Sequence, residues 1–380
     1  MKTQNKQKVL AINFGGIGDE ILFLPTIKSI KAQMPDSHVT LLVEPRSQSI
    51  KRITNLVDAV VTFDIKKRPL YVADLIKLVG LLREGGYQTV VSSGSSKAVC
   101  VLLFLSGIEK RVGYHSGALS KLLLSNPVPL NRNQYAGAMY HDLATGLGAP
   151  RLEAKDCTPE ITVEAENLNR MTEFLHRTAG DTNGESSRKK VLIHPGMSKL
   201  ALEKGLIKTW SVESWVQLIQ LLSAEKDVQV LLAGGPDDKE IVEAILQKVA
   251  PTAPLISCVG ATKDLADLAA LIELSNVMVC VDSAPMHMAV GLGKPLVALF
   301  GPTDEKKLLA QDPRFTPLRE PGSQPTYQTA TANVAAATDE PRRQSQGAPG
   351  VQLQPNIVFQ SVLDQLKSAS AQQSSPAHRR

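Results

Sequence analysis

Two stretches of this chain repeat one pattern. KVLAINFGGIGD at Lys8–Asp19 and KKVLIHPGMSK at Lys189–Lys199 each pass from basic residues through a short apolar strand into a glycine turn. A run of that length, apolar on both faces and bounded by glycine, suits the middle of a parallel sheet covered by helices. Its recurrence in the second half of the chain predicts two copies of one α/β architecture, not a solenoid of short repeats. A chain of 380 residues, 43% of them hydrophobic, is long enough to build both cores.

The rest of the pattern fits that expectation. In the first half, strands are predicted at Val9–Asn13, His38–Val43 and Ala59–Phe63 and from Val90, with helices from Asp19 toward Gln33, at Tyr71–Arg83 and at Ala98–Leu105. Pro25 is predicted to shorten or kink the first helix, because proline removes a helical hydrogen bond. In the second half, strands at Val228–Leu232, Leu255–Val259, Val277–Val281 and Leu296–Phe300 alternate with helices at Ser214–Leu222, Ile241–Val249, Leu265–Ile272 and Pro285–Val290. The expected organisation is an N-terminal domain over 1–180, a polar linker over 181–190 (DTNGESSRKK) and a C-terminal domain over 191–312. Residues 313–355, rich in Pro, Gln, Ala, Gly and Thr, are expected to be disordered. A helix at 356–368, with Phe359, Val362, Leu363 and Leu366 on one face, and a loose tail at 369–380 complete the chain.

Composition excludes several classes. Forty-two basic residues against 37 acidic ones give a net charge of +5, too small to indicate a nucleic-acid binder. The four cysteines have no metal-site or CxxC spacing and read as reduced, buried thiols of a cytoplasmic protein. The N-terminus passes directly from basic residues into a strand, unlike a signal peptide. The longest apolar run, Ala98–Leu105, stops at Ser106-Gly107, short of a membrane span. There is no D-x-D triplet, no metal-ligand cluster, no Walker A and no G-x-S-x-G.

Four segments carry candidate chemistry. In NFGGIGDE, Gly15, Gly16 and Gly18 let backbone N–H groups approach a ligand at a helix N-terminus. Asp19 stands there as a carboxylate at the C-terminal edge of the sheet, where open α/β sheets bind ligands. A plain helix-capping acid is the alternative. In VCVDSAPMHMAVGLGKPLVALFGPT, a strand ends at Asp282-Ser283 and a helix opens near Pro285, with Ser283 able to cap it. That helix entry, with His287 in its first turn, is suited to a diphosphate. Lys208, ahead of the helix entry at Trp210-Ser211, could neutralise a phosphate as a point charge. Asp237 and Asp238 follow Gly234-Gly235-Pro236 at another sheet edge, where carboxylates can accept from ribose hydroxyls or simply cap a helix.

Taken together these residues resemble the ADP-heptose:lipopolysaccharide heptosyltransferases, glycosyltransferase family 9. The resemblance rests on GDEILFLP at Gly18–Pro25, RVGY at Arg111–Tyr114, IKTWSVESW at Ile207–Trp215 and DSAPMHMAVGLGKPLVALFGPT at Asp282–Thr303, and covers roughly residues 8 to 312. Ser211 stands where the family usually has proline, and Ala284 where it has glycine. The resemblance implies a GT-B fold of two Rossmann-like domains, with acceptor on the N-terminal domain and donor on the C-terminal one. It implies inverting, metal-independent transfer of a heptose-like sugar from a nucleotide diphosphate (ADP-heptose-like) to a glycolipid or polysaccharide acceptor, with no cofactor. Carried over residue by residue, Asp19 would be the general base. Lys208, Asp237, Asp282, Ser283, Ala284, Met286 and His287 would line the donor site, and Gly15, Gly16 and Gly18 the acceptor loop. A cytoplasmic enzyme with peripheral contact to the inner membrane is expected, its last helix crossing back to the N-terminal domain. The rival readings are a sugar-nucleotide epimerase or hydrolase of the same fold, and a non-catalytic sugar-nucleotide-binding protein.

Overall fold

A computed structural model describes residues 6–65, 71–179, 188–198, 201–202, 206–250, 254–327 and 350–374. The chain forms two compact units, divided between Glu160 and Ile161. Each unit carries one six-stranded parallel sheet.

The N-terminal unit alternates β1 (Lys8–Ile12), α1 (Ile17–Gln33), β2 (His38–Val43), β3 (Ala59–Thr62), α2 (Val72–Glu84), β4 (Thr89–Ser92), α3 (Lys97–Leu105), β5 (Lys110–Tyr114), α4 (Ala118–Leu123), β6 (Asn126–Val128) and α5 (Ala136–Thr145). Its strand order is β3-β2-β1-β4-β5-β6. The C-terminal unit contains α6 (Ala165–Ala179), β7 (Lys189–His194), α7 (Val212–Ser223), β8 (Val228–Leu232), α8 (Lys239–Lys248), β9 (Leu255–Ser257), α9 (Leu265–Leu274), β10 (Val277–Val281), α10 (Ala284–Gly291), β11 (Leu296–Phe300), α11 (Glu305–Leu308), β12 (Phe315–Arg319) and α12 (Pro355–Ser374). Its order is β9-β8-β7-β10-β11-β12. Counted within its own unit, each sheet therefore reads 3-2-1-4-5-6, the doubly wound Rossmann order. The chain reverses direction across the sheet between β1 and β4, and between β7 and β10. At those two points the flanking loops diverge and leave a crevice for a ligand.

The first helix differs from expectation. α1 runs without a break through Pro25. Interior proline costs about 3 kcal/mol, but Ile21, Leu22, Phe23, Leu24, Ile27 and Ile30 are all buried. At roughly 1.5–3 kcal/mol per buried side chain that burial outweighs the defect. Phe23 packs edge-on against Tyr140 of α5, with ring centroids 5.7 Å apart.

The domain boundary also moves. α6 lies before the expected limit at 180, yet it packs on α9 of the C-terminal unit. Asp267 of α9 is fully buried and is held by Asn167 Nδ2 at 2.8 Å and by the Arg170 guanidinium. A buried carboxylate needs those partners, so α6 is fixed to the C-terminal sheet. The expected linker lies mostly outside the described residues; its last two, Lys189 and Lys190, already belong to β7.

The C-terminal part is more ordered than composition predicts. Residues 315–319 form β12, in register with Leu296–Phe300 of β11. Arg319 binds Glu305 at 2.7 Å and the carbonyls of Gly301 and Thr303, so β12 also ties down the loop after β11. Residues 328–349, the middle of the low-complexity stretch, lie outside the described residues. The chain is again described from Gly350, where the Val351 N–H donates to Thr209 O at 3.0 Å and the Trp210 indole N–H to Leu353 O at 3.0 Å. α12 is longer than expected and packs on the C-terminal unit's own α7, β10 and β11, which corrects the expected crossing to the N-terminal domain. Val358, Val362 and Leu366 join the core around Trp215 and Leu218.

α12 is thus part of the C-terminal core. Leu366→Ala should destabilise that unit by about 2–5 kcal/mol, read as a lower denaturation midpoint, and a chain ending at Pro355 should lose more. Unchanged melting in both variants would contradict this packing.

Candidate functional site

In the N-terminal unit the β1–α1 loop is built around Asp19. One carboxylate oxygen accepts from the Gly16 N–H at 2.9 Å, closing the first turn of α1. The other accepts from the Tyr140 hydroxyl at 3.0 Å. Burial first, then the adjacent Asp19 charge, push the Tyr140 phenol well above its usual pKa, so it is a fixed donor at neutral pH. Asn13 Nδ2 donates to Asp19 O at 3.1 Å, and Ser93 Oγ, just beyond β4, donates to Asn13 Oδ1 at 2.6 Å. These bonds join the two loops that flank the β1/β4 reversal. Gly15 is required for a local reason: a Cβ there would fall 2.2 Å from Asp19 Cβ. Gly16 caps α1, and Gly18 lies within its first turn. Asp19 itself is half-buried. Helix capping and an accessible carboxylate are therefore both present in one residue.

In the C-terminal unit β7 pairs with β10 so that His194 lies beside Cys280, and Asp282 follows just past the strand end. Asp282 is only 3% exposed. Burial alone would raise its pKa, but the Lys208 ammonium, with Nζ 2.6 Å from Oδ2, and the nearby His287 hold it below the usual carboxylate range. Lys208 reaches this point because its loop is tied on both sides. Its N–H donates to Met197 Sδ at 3.3 Å, and Thr209 and Trp210 carry the hydrogen bonds to residues 351 and 353. Ser211 then caps α7, accepting from the Ser214 N–H at 3.0 Å, which supplies the helix start without a proline. Trp210 and Trp215 pack edge-to-face at 4.9 Å and set the angle between loop and helix.

Ser283 sits at the N-cap of α10, yet its hydroxyl donates to Val281 O at 3.2 Å and makes no capping bond. This corrects the capping role expected for it. Ala284 is half-buried at the helix entry, and His287 is buried beside Asp282. Met286 points into the core with no exposed surface, so its side chain offers a ligand nothing. The structure thus brings Lys208, Asp282 and His287 together, with Ser283 and Ala284 at the same helix entry.

Asp237 is exposed on the turn after β8. Its neighbour Asp238 is buried instead, accepts from the Gly235 N–H at 2.8 Å and lies 3.6 Å from His194 Nε2. A Cβ on Gly196 would fall 1.8 Å from Asp238 Oδ1, so the β7 loop passes directly over this carboxylate. Burial pushes His194 below its usual pKa, with Asp238 opposing, which leaves the imidazole neutral near pH 7. Sequence reasoning missed Tyr140, Asn13, Ser93 and His194. The Gly-x-x-Asp spacing shared by Gly16–Asp19 and Gly235–Asp238 marks Asp238 as the buried member of the Asp237-Asp238 pair. All four cysteines are buried and unpaired.

Chemically, the C-terminal crevice offers a charged ammonium, a buried imidazole and a helix N-terminus, a set that stabilises anionic oxygen. The N-terminal one offers an oriented carboxylate, a set that accepts a proton.

The Lys208–Asp282 pair has a pH signature. Because the Asp282 pKa in the folded protein lies below its unfolded value, its contribution to stability is complete above about pH 3.9. It is lost as pH falls through the lower folded value. Lys208→Met should strand a buried charge and cost about 3–5 kcal/mol near neutrality, a deficit that shrinks as acid protonates Asp282. Chemical denaturation near neutrality and in acid, followed by circular dichroism, checks this, and an equal deficit at both would contradict it.

The profile of glycosyltransferase family 9 (heptosyltransferase) matches residues 75–334. That range includes Lys208, Asp238, Asp282 and His287 but not Asp19. Lipopolysaccharide heptosyltransferase 3 of Escherichia coli is 24% identical over 295 residues, 76% of this chain and 81% of that protein. Photosynthetic NDH subunit of subcomplex B 1 of Arabidopsis thaliana is 25% identical over 309 residues, 77% of this chain and 64% of that protein. The solved structure of E. coli heptosyltransferase WaaC with ADP-2-deoxy-2-fluoro heptose covers 94% of this chain and 99% of its own, with a TM-score of 0.64 at 17% identity.

Proposed function

The chain belongs to glycosyltransferase family 9, the heptosyltransferases, and from that footing we propose that it moves a heptose-like sugar from an ADP-type donor to a glycolipid or polysaccharide acceptor, with inversion and without a metal. The observation that carries this reading is the Lys208–Asp282–His287 group at the α10 N-terminus. Lys208 has three N–H donors and gives one to Asp282, which fixes it in place and leaves the others for a ligand. The donor diphosphate would lie against that ammonium, the His287 side of the group and the α10 entry. The heptosyltransferase solved with an ADP-linked fluoroheptose supports a nucleotide of this kind, as the fold relative whose bound ligand is named.

The reaction then follows from charge. The acceptor hydroxyl gives its proton to Asp19 as its oxygen attacks the anomeric carbon. The bond from that carbon to the diphosphate oxygen breaks, and the electron pair leaves with the nucleotide diphosphate. Carbon gains oxocarbenium character on the way, as in glycoside hydrolysis. Negative charge grows on the leaving oxygen, where Lys208 and the helix N-terminus stabilise it. Tyr140 holds one Asp19 oxygen and Gly16 the other, which orients the base for one direction of proton transfer.

Asp19→Asn should lower transfer about a hundredfold or more while nucleotide-sugar affinity, read by calorimetry, stays the same. Near-normal turnover would return Asp19 to helix capping alone. Among the described residues no group of three or more His, Cys, Asp and Glu side chains could hold a metal. Transfer is accordingly expected to survive EDTA, and loss of activity restored by magnesium or manganese would overturn the metal-free reading.

A second reading has a specific basis. The Arabidopsis relative, similar over most of this chain, is described as a subunit of a larger complex and not as a transferase. A chain of that kind would serve in an assembly without turnover, which the Asp19→Asn comparison also detects, since wild type and variant would then be equally inactive.

A further inference from the structure

The outer face of the N-terminal unit carries apolar side chains that no described residue of the unit covers. α2 and α3 follow β3 and β4 on the same side of the sheet. Their inner residues, Leu78 and Leu82 of α2 and Cys100 and Leu103 of α3, share one core with Leu10, Ile12, Leu42 and Val90. Their outer faces present Val72 and Ile76, at i and i+4, and Val101, Phe104 and Leu105, at i, i+3 and i+4. Leu122 of the neighbouring α4 extends the face. Exposure reaches 73% at Val72, 67% at Ile76, 50% at Phe104 and 77% at Leu122. Such side chains elsewhere on the described surface are scattered, and a concentration of this kind marks an interaction site.

Cations frame it. Arg111 stands over the Phe104 ring, 5.7 Å from its centroid. Arg83 reaches across from α2 to donate to Leu105 O at 2.7 Å. Lys77, Lys97 and Lys121 are exposed on the same three helices. A protein interface is typically depleted of lysine. An anionic bilayer favours the reverse: aliphatic and aromatic residues that enter the headgroup boundary, ringed by Lys and Arg whose stems lie along the apolar surface.

We propose that the α2–α3–α4 face docks this protein on an anionic lipid surface. The inference rests on the transfer reading only in that a glycolipid acceptor would place the enzyme at a bilayer. Its test needs neither donor nor acceptor, so the two can fail separately.

The measurement is flotation of the full chain with vesicles of phosphatidylcholine alone or mixed with phosphatidylglycerol. The protein should float with the mixed vesicles, less so at high salt, and stay behind with phosphatidylcholine. Ile76→Ser with Phe104→Ser should weaken partitioning about tenfold or more, and Lys97→Gln with Lys121→Gln should weaken it about tenfold. Melting temperatures check that each variant is folded. Should the serine pair prove unstable, the glutamine pair decides. Wild-type protein that ignores anionic vesicles, or variants that float as well as wild type, would overturn the proposal. So would sedimentation showing a dimer that the serine pair dissociates, because the face would then belong to a second copy.

Discussion

A carboxylate almost wholly removed from water must be compensated, and much of the C-terminal unit is arranged to compensate Asp282. Its partner, Lys208, comes from a loop 74 residues earlier in the chain. That loop is held in turn by Met197 behind it and by residues 350–353 beside it, where a Cβ on Gly350 would lie only 2.3 Å from Thr209 O. Residues 350–353 lead into α12, whose apolar face completes the core around Trp215. Residues 350–374 are therefore a structural element of the C-terminal crevice, linked to it through two tryptophans and a lysine. An ion pair this buried adds little stability over an apolar pair, but breaking it is costly.

The two units solve a common problem with one local device. Gly16-x-x-Asp19 and Gly235-x-x-Asp238 both place a carboxylate three residues after a glycine N–H, which it accepts at 2.9 and 2.8 Å. What surrounds the carboxylate differs. Asp19 meets the Tyr140 phenol and keeps part of its surface in solvent. Asp238 is closed in by Gly196 and by a neutral His194. The same capping geometry thus leaves one acid able to meet a substrate proton and makes the other a fixed part of the β7 and β8 loops.

The architecture was legible because parallel strands buried on both faces read as apolar runs, and His38–Val43, Val228–Leu232, Val277–Val281 and Leu296–Phe300 were placed without error. The misses share physical causes. α5 is buried on nearly all sides, so it shows no amphipathic stripe, and Tyr140 was hidden with it. β12 contains Pro317, which reads as a strand breaker, but β12 is an edge strand, where a missing N–H costs no ladder bond. Pro25 was overruled by the burial around it. In the C-terminal unit Asp282, Lys208 and His287 lie together, with Ser283 and Ala284 at the same helix entry. Met286 is buried and Asp237 exposed, since sequence spacing fixes the turn and only packing fixes which side chain faces inward.

The account stands most directly on the fate of the sugar. Purified protein, given an ADP-linked heptose with and without a core glycolipid that carries the receiving sugar but not the heptose to be added, can be followed by mass spectrometry of both nucleotide and lipid. The account predicts that ADP appears only when the acceptor is present and that the glycolipid gains a heptosyl unit. Free heptose accumulating equally without acceptor, or bound donor that is never consumed, would contradict it.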